Sequence, residues 1–163
     1  MVKAIKIKRA ERADIPIIFN FIKQLAEHGK LSNQMVATEE VLEKRLFSSK
    51  VYAEVILGYI DQKPVGFAMY SYSFSTLYAK PILYLVNIFV EPDYRHQGIA
   101  NKLLVNLAQI AKEQQCCRIE WSAQEWNSTA IKFYNKIGAE ELSDWRIYRM
   151  SDGCLDALAN QQS

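Results

Sequence analysis

The chain has 163 residues, half of them hydrophobic, with 20 Lys and Arg against 18 Asp and Glu. That length predicts one domain spanning residues 1–163, able to bury roughly 70% of the surface its unfolded chain exposes. The formal net charge of +2 gives no electrostatic footprint for nucleic acid or an anionic membrane, and it suits a small, mildly charged ligand.

Met1 to Arg9 alternates charged and aliphatic residues, and no window approaches 18 uninterrupted apolar residues, which predicts a cytoplasmic protein. Cys116, Cys117 and Cys154 form an odd set without metal-ligand spacing. They read as space-filling thiols, and no metal site is expected.

In chain order, Ala4 to Lys8 alternates as a first strand. Asp14 and Pro16 suit the start of a helix carrying Ile15, Ile18, Phe19, Ile22 and Leu25 on one face and ending at Gly29. Thr38 caps a second helix, with Glu39 and Glu40 at its positive end. Val51 to Ile60 and Val65 to Tyr72 are β-rich runs joined by the hairpin signal Asp61-Gln62-Lys63-Pro64. Ser73 to Pro81 reads as an aromatic-rich connection.

Ile82 to Val90 is the next strand, and Gly98 to Gln114 is an amphipathic helix. Arg118 to Ala123 follows as a short strand. Asn127 and Ser128 start a helix that Gly138 ends. Glu140 to Leu142 and Arg146 to Met150 are expected as two further strands, and the tail from Ser151 shows only brief apolar periodicity. The order β-α-α-β-β-β-α-β-α-β-β predicts an α/β fold with one mixed, mostly antiparallel sheet and helices on both faces.

The junction from Tyr84 to Ala100 carries the chemistry. A strand ends at Pro92-Asp93, and a helix opens at Gly98 beside Arg95. First-turn amides without intrahelical partners, the positive end of the helix dipole and a guanidinium together suit a diphosphate.

Three segments then resemble the GNAT acyl-CoA N-acetyltransferases: the strand ending Ile88-Phe89-Val90, the turn Tyr94-Arg95-x-x-Gly98-Ile99-Ala100, and Glu125-Trp126-Asn127 through Phe133-Tyr134 to Gly138-Ala139. The likeness covers almost the whole chain. Gly66 to Tyr70, Ala123 to Asn127 and Trp145-Arg146 are similar to the diamine (spermidine/spermine) acetyltransferase branch.

The resemblance implies acetyl-CoA as acetyl donor, a small-molecule amine as acceptor and a homodimer. By the same resemblance, Ile88, Phe89 and Val90 would meet the pantetheine arm. Arg95, His96, Gln97, Gly98, Ile99, Ala100 and Asn101 would hold the diphosphate. Asn127 would bond the cofactor near its thiol end or serve as a helix cap, and both roles are compatible. Tyr134 resembles the general acid that protonates the departing thiolate.

Direct attack needs a neutral amine, and an amine with a lysine-like pKa near 10.4 is only about one part in a thousand neutral at pH 7. Diamine acetyltransferases carry an acidic pair where this chain has Val86 and Asn87. Glu120 is the preferred substitute base, with Glu125 and His28 as alternatives. Val86, Asn87, His28 and Trp121 are the expected acceptor-side residues. Tyr70, Tyr72, Phe74, Tyr78, Tyr84, Trp121 and Trp126 are candidates for one aromatic cleft.

The expected reaction is direct acetyl transfer to the primary amine of a diamine, polyamine or amino-acid-like molecule, a polyamine being disfavoured by the missing acids. A non-catalytic acyl-CoA-binding module and a protein N-acetyltransferase are the alternatives.

Overall fold

The computed structural model describes residues 4–161. Met1–Lys3 of the alternating N-terminus and the last two residues of the tail lie outside the described residues. The chain folds as two compact units, Met1–Trp121 and Ser122–Ser163.

In the first unit, β1 (Ile5–Arg9), β2 (Glu54–Ile60), β3 (Lys63–Ser75), β4 (Lys80–Val90) and β5 (Ile119–Glu120) form one sheet in that order. The first three pairings are antiparallel, and β4 with β5 is parallel. Helices α1 (Ile15–His28) and α2 (Glu39–Leu46) precede β2, and α3 (Ile99–Glu113) links β4 to β5. This is the mixed, mostly antiparallel sheet that the pattern of elements predicts.

Alternation along the strands sorts side chains onto two faces. Val55, Leu57, Phe67, Met69 and Phe89 join Ile18 and Phe21 of α1 in one buried cluster. Phe21 stacks on Phe67 with ring centroids 5.6 Å apart. Each such buried aromatic contributes about 1.5–3 kcal/mol. The intervening residues of β2 and β3, among them Ile56 and Tyr70, face the other way, and Asn106 and Ile110 of α3 lie across a cavity from them. Helices therefore cover both faces of this sheet.

Two devices fix the position of β4. Gly66 pairs with Val90, and a Cβ on Gly66 would lie 2.7 Å from the Phe89 carbonyl oxygen, so β3 approaches β4 there only because the side chain is absent. Further along, Met69 pairs with Asn87 but Tyr70 pairs with Leu85. Val86 is thus an extra residue on β4, a bulge that bends the strand.

Several sequence expectations change. Asp61 and Gln62 both have positive φ, 48° and 66°, as a two-residue hairpin turn of type I′ requires. Lys63 and Pro64 therefore belong to β3. The connection expected over Ser73 to Pro81 is mostly strand, with Ser73↔Ile82, Phe74↔Pro81 and Ser75↔Lys80 extending the β3–β4 ladder. Phe74 joins the ladder, while Thr76, Leu77, Tyr78 and Ala79 form the turn that closes it. Arg118 to Ala123 shortens to the two residues of β5.

The second unit contains α4 (Ser128–Lys136) and α5 (Asp152–Ala159), so the periodic tail is helical. The two strands expected over Glu140–Leu142 and Arg146–Met150 are not formed among the described residues. Trp145, Ile147 and Tyr148 are 78–86% exposed, and an alternating segment without a neighbouring strand has no ladder to satisfy its backbone.

Candidate active site

The register of β4 and β5 creates the opening. The two strands pair only at Leu83↔Ile119 and Tyr84↔Glu120. Beyond Tyr84 no strand among the described residues runs along the β5 side of β4, so the stretch through Ile88, Phe89 and Val90 presents outward-facing backbone groups. An extended chain bearing amides could add there as a strand does. Phe89 and Val90 are buried, whereas Ile88 and Asn87 are half-buried and Val86 is exposed.

The strand leads into the turn Pro92–Tyr94 and then to the start of α3. His96 (φ 60°) and Gly98 (φ 85°) both take left-handed backbone. Only glycine adopts that region without cost, and a Cβ on Gly98 would meet nothing within 4 Å. Space therefore lies open in front of the helix.

No side chain caps α3 at Gly98, and the first helical bond runs from Lys102 N to Gly98 O at 3.0 Å. The amides of Ile99, Ala100 and Asn101 precede that bond and meet the positive dipole end. Arg95 donates Nε–H to the Val90 carbonyl at 3.0 Å and stacks its guanidinium 5.7 Å from the Phe89 ring centre. Its two terminal nitrogens remain for an anion. Gln97 donates to the Asp93 carbonyl at 3.1 Å, tying the turn to its own base. His96 is exposed.

In the second unit, Asn127 Oδ1 accepts from Ala130 N at 3.3 Å. The cap reading of Asn127 is thus realised, and its amide N–H₂ is left to donate. Tyr134 is half-buried on α4, and burial pushes its phenol above the ordinary value of 10.0. Gly138 follows α4 with φ 86°. Glu125 and Trp126 are exposed.

Glu120 sits beside Tyr84 and accepts from Arg118 Nε at 2.5 Å. Ile88 is four residues further along β4, roughly 13 Å at 3.3 Å per residue. A proton could pass from there to Glu120 only through water. One Glu120 oxygen holds Arg118, and the other is left to accept. His28 is the exposed last residue of α1, and Trp121 is half-buried at the end of the first unit.

The expected single aromatic cleft is not formed. Tyr84 pairs with Ser71, whereas Tyr70 and Tyr72 flank Ser71 on β3 and so face the α3 side. Tyr70 and Tyr72 meet edge to face, centroids 6.0 Å apart. Period-two alternation was the available signal for that split. The Val86 bulge had no such signal, because register depends on the partner strand.

A bulged strand whose far half β5 leaves unpaired runs into an uncapped helix start, an α/β frame chemically suited to an extended amide chain ending in a diphosphate. The chain belongs to the acetyltransferase (GNAT) family, whose profile matches residues 22–139. It is 30% identical to the thialysine N-epsilon-acetyltransferase of Bos taurus over 96% of this chain and 98% of that protein. It is 31% identical to the human spermidine/spermine N(1)-acetyltransferase-like protein 1 over 90% of this chain but 22% of that one. Among solved structures it is similar to a Vibrio cholerae integron cassette protein, with a TM-score of 0.81 and 29% identity over 99% of both chains. These relatives bear out the family, the fold and the diamine-acetyltransferase likeness read from the motifs.

Proposed function

We propose that this N-acetyltransferase moves an acetyl group from acetyl-CoA to the side-chain amine of a small, amino-acid-like molecule, as one catalytic domain of residues 1–163. The observation that carries the reading is the uncapped turn from Arg95 to Asn101 next to the edge of β4 that β5 leaves unpaired. Its amides and guanidinium match a diphosphate, and the β4 backbone matches the amides of pantetheine. A two-carbon acyl group offers little binding surface, so the long handle supplies the affinity that positions it.

The acetyl donor brings the activated thioester; the chain's residues bind, orient and move protons. Ile88 to Val90 align the arm, and the Ile88 amide stabilises charge that develops on the acyl oxygen. Asn127 donates to the arm through its free amide. Tyr134 keeps its proton because burial raises its pKa, and it gives that proton to the departing sulfur. Glu120 takes the proton from the amine through water with the oxygen that Arg118 leaves free.

On the acceptor side, Val86 and Asn87 supply no carboxylate, so the wall of the site does not match a polycation. An amino acid carries its own carboxylate and needs less negative charge from the protein. The thialysine Nε specificity in the name of the bovine relative supports this choice. Among the described residues no helix is long and apolar enough to cross a membrane, and the composition supports a cytoplasmic location. The exposed Trp145, Ile147 and Tyr148 support a second copy as the covering partner, giving a homodimer.

The test is a panel of amines assayed for release of the CoA thiol, with polyamines, lysine-like amino acids and short peptides side by side. Fastest turnover on a lysine-like amino acid is expected. Acetyl-CoA binding with no turnover on any amine would make the protein a non-catalytic binding module, and preference for peptides would make it a protein acetyltransferase.

A further inference from the structure

A cavity of about 410 Å³ in the first unit lies away from the diphosphate turn, between the last turns of α3 and the α3-facing side of β1 to β3. The helix is 15 residues long, so this end is about 22 Å from its N-terminus at 1.5 Å per residue. Nothing in the transfer chemistry uses it.

Its walls are chemically divided. Arg9 and Glu54 form an ion pair, and Glu113 of α3 stands across from them without an ion-pair partner among the described residues. Tyr70, Tyr72, Asn106 and Gln114 are its other polar lining residues. Tyr70 is only 1% exposed, yet its hydroxyl makes no hydrogen bond among the described residues. That oxygen is not a buried unpaired atom, so it opens onto the cavity that Tyr70 lines. Burial raises the pKa of both tyrosines, and the Arg9 charge opposes the rise in each case. Arg9, Tyr70 and Tyr72 line the same cavity.

One guanidinium with two phenol O–H groups is a donor set for a carboxylate. The Glu113 carboxylate on the opposite wall is an acceptor for an ammonium. A simple anion would face two carboxylates, and a simple cation would face a guanidinium. A molecule bearing both charges meets a complementary charge at each end. We infer that this cavity is a second binding site that takes the zwitterionic head of a free α-amino acid, with Arg9, Tyr70 and Tyr72 on the carboxylate and Glu113 on the ammonium.

The site stands independently of the acceptor identity proposed above, because its test reads binding and not turnover. Calorimetric titration of the full chain uses norleucine, which has both head charges and no side-chain amine to acetylate. Hexylamine and hexanoate each carry one of the two charges. Saturable norleucine binding is expected, at least about tenfold tighter than either control, and weakened about tenfold or more by Tyr70→Phe and by Glu113→Gln.

Tyr70→Phe removes only an oxygen without a protein partner, so its melting temperature should equal or exceed that of the parent, and both variants should bind acetyl-CoA normally. Equal binding of hexylamine or hexanoate would overturn the zwitterion assignment. Absence of norleucine binding, or binding unchanged in both variants, would overturn the site.

Discussion

Arg118 donates its Nε–H to Glu120 Oε1 at 2.5 Å, and Glu120 lies beside Tyr84 at the last point where β4 and β5 still pair. The ion pair orients the carboxylate at the mouth of the opening between the strands. The hydrogen bond to Glu120 also pushes the Arg118 pKa up, so the guanidinium remains charged. Glu120→Gln keeps the shape and removes the proton acceptor. A fall in kcat/KM of about 10²-fold is expected, the usual contribution of a general base, with acetyl-CoA affinity unchanged. Thiol release at pH 7 measures it, and an unaltered rate would return the base role to Glu125 or His28.

At Gly98 conformation and space can be separated. The left-handed backbone penalises any Cβ by roughly 1–2 kcal/mol, while nothing within 4 Å would block one. Gly98→Ala should therefore fold with modest loss of stability and bind acetyl-CoA more weakly. Gly98→Glu adds negative charge where the amides await a diphosphate, and binding should be lost. Titration with acetyl-CoA checks both, and normal binding by the Glu variant would displace the diphosphate from this turn.

Gly66 presents the opposite case. The obstruction there is the Phe89 carbonyl, 2.7 Å from where a Cβ would sit, and backbone cannot rotate aside as a side chain can. Gly66→Ala should cost about 1–3 kcal/mol, the range of overpacked sites, and should shift β4 with the site it carries. Denaturant unfolding would show a lowered midpoint. A variant as stable as the parent would mean that β3 and β4 can separate locally without loss.

What the sequence revealed follows the range of the forces involved. Gly98, Asn127 and Gly138 were legible because turn and cap chemistry is local, set by each residue's own backbone preference. The α1 face was legible for the same reason, since Ile15, Ile18 and Leu25 repeat at helical spacing. The Val86 bulge, the extension of the ladder through Phe74 and the separation of Tyr70 from Tyr84 depend on which residue of the partner strand lies opposite, and that register is not written in either strand alone. Arg146 to Met150 shows the converse. Its alternation is strand-like, but without a neighbour in the described chain the pattern has nothing to pair with.

Tyr134 connects stability with chemistry. Burial raises its phenol pKa, as it does for Tyr59, Tyr70 and Tyr72. A phenol raised on folding contributes stability that is fully present below its unfolded pKa of about 10 and is lost as pH rises through the folded value, because the unfolded chain releases its proton first. Unfolding free energy should thus be flat in this respect to about pH 9 and decline above pH 10, and Tyr134→Phe should make that decline shallower. The same retained proton is the one assigned to the departing sulfur, so the Phe variant should lose about 10²-fold in kcat with acetyl-CoA affinity unchanged. Denaturant melts at pH 9 and 10.5, together with single-turnover rates at pH 8, measure the two effects separately. A shallower alkaline decline with an unchanged rate would leave Tyr134 as a buried structural phenol and remove it from the acid role.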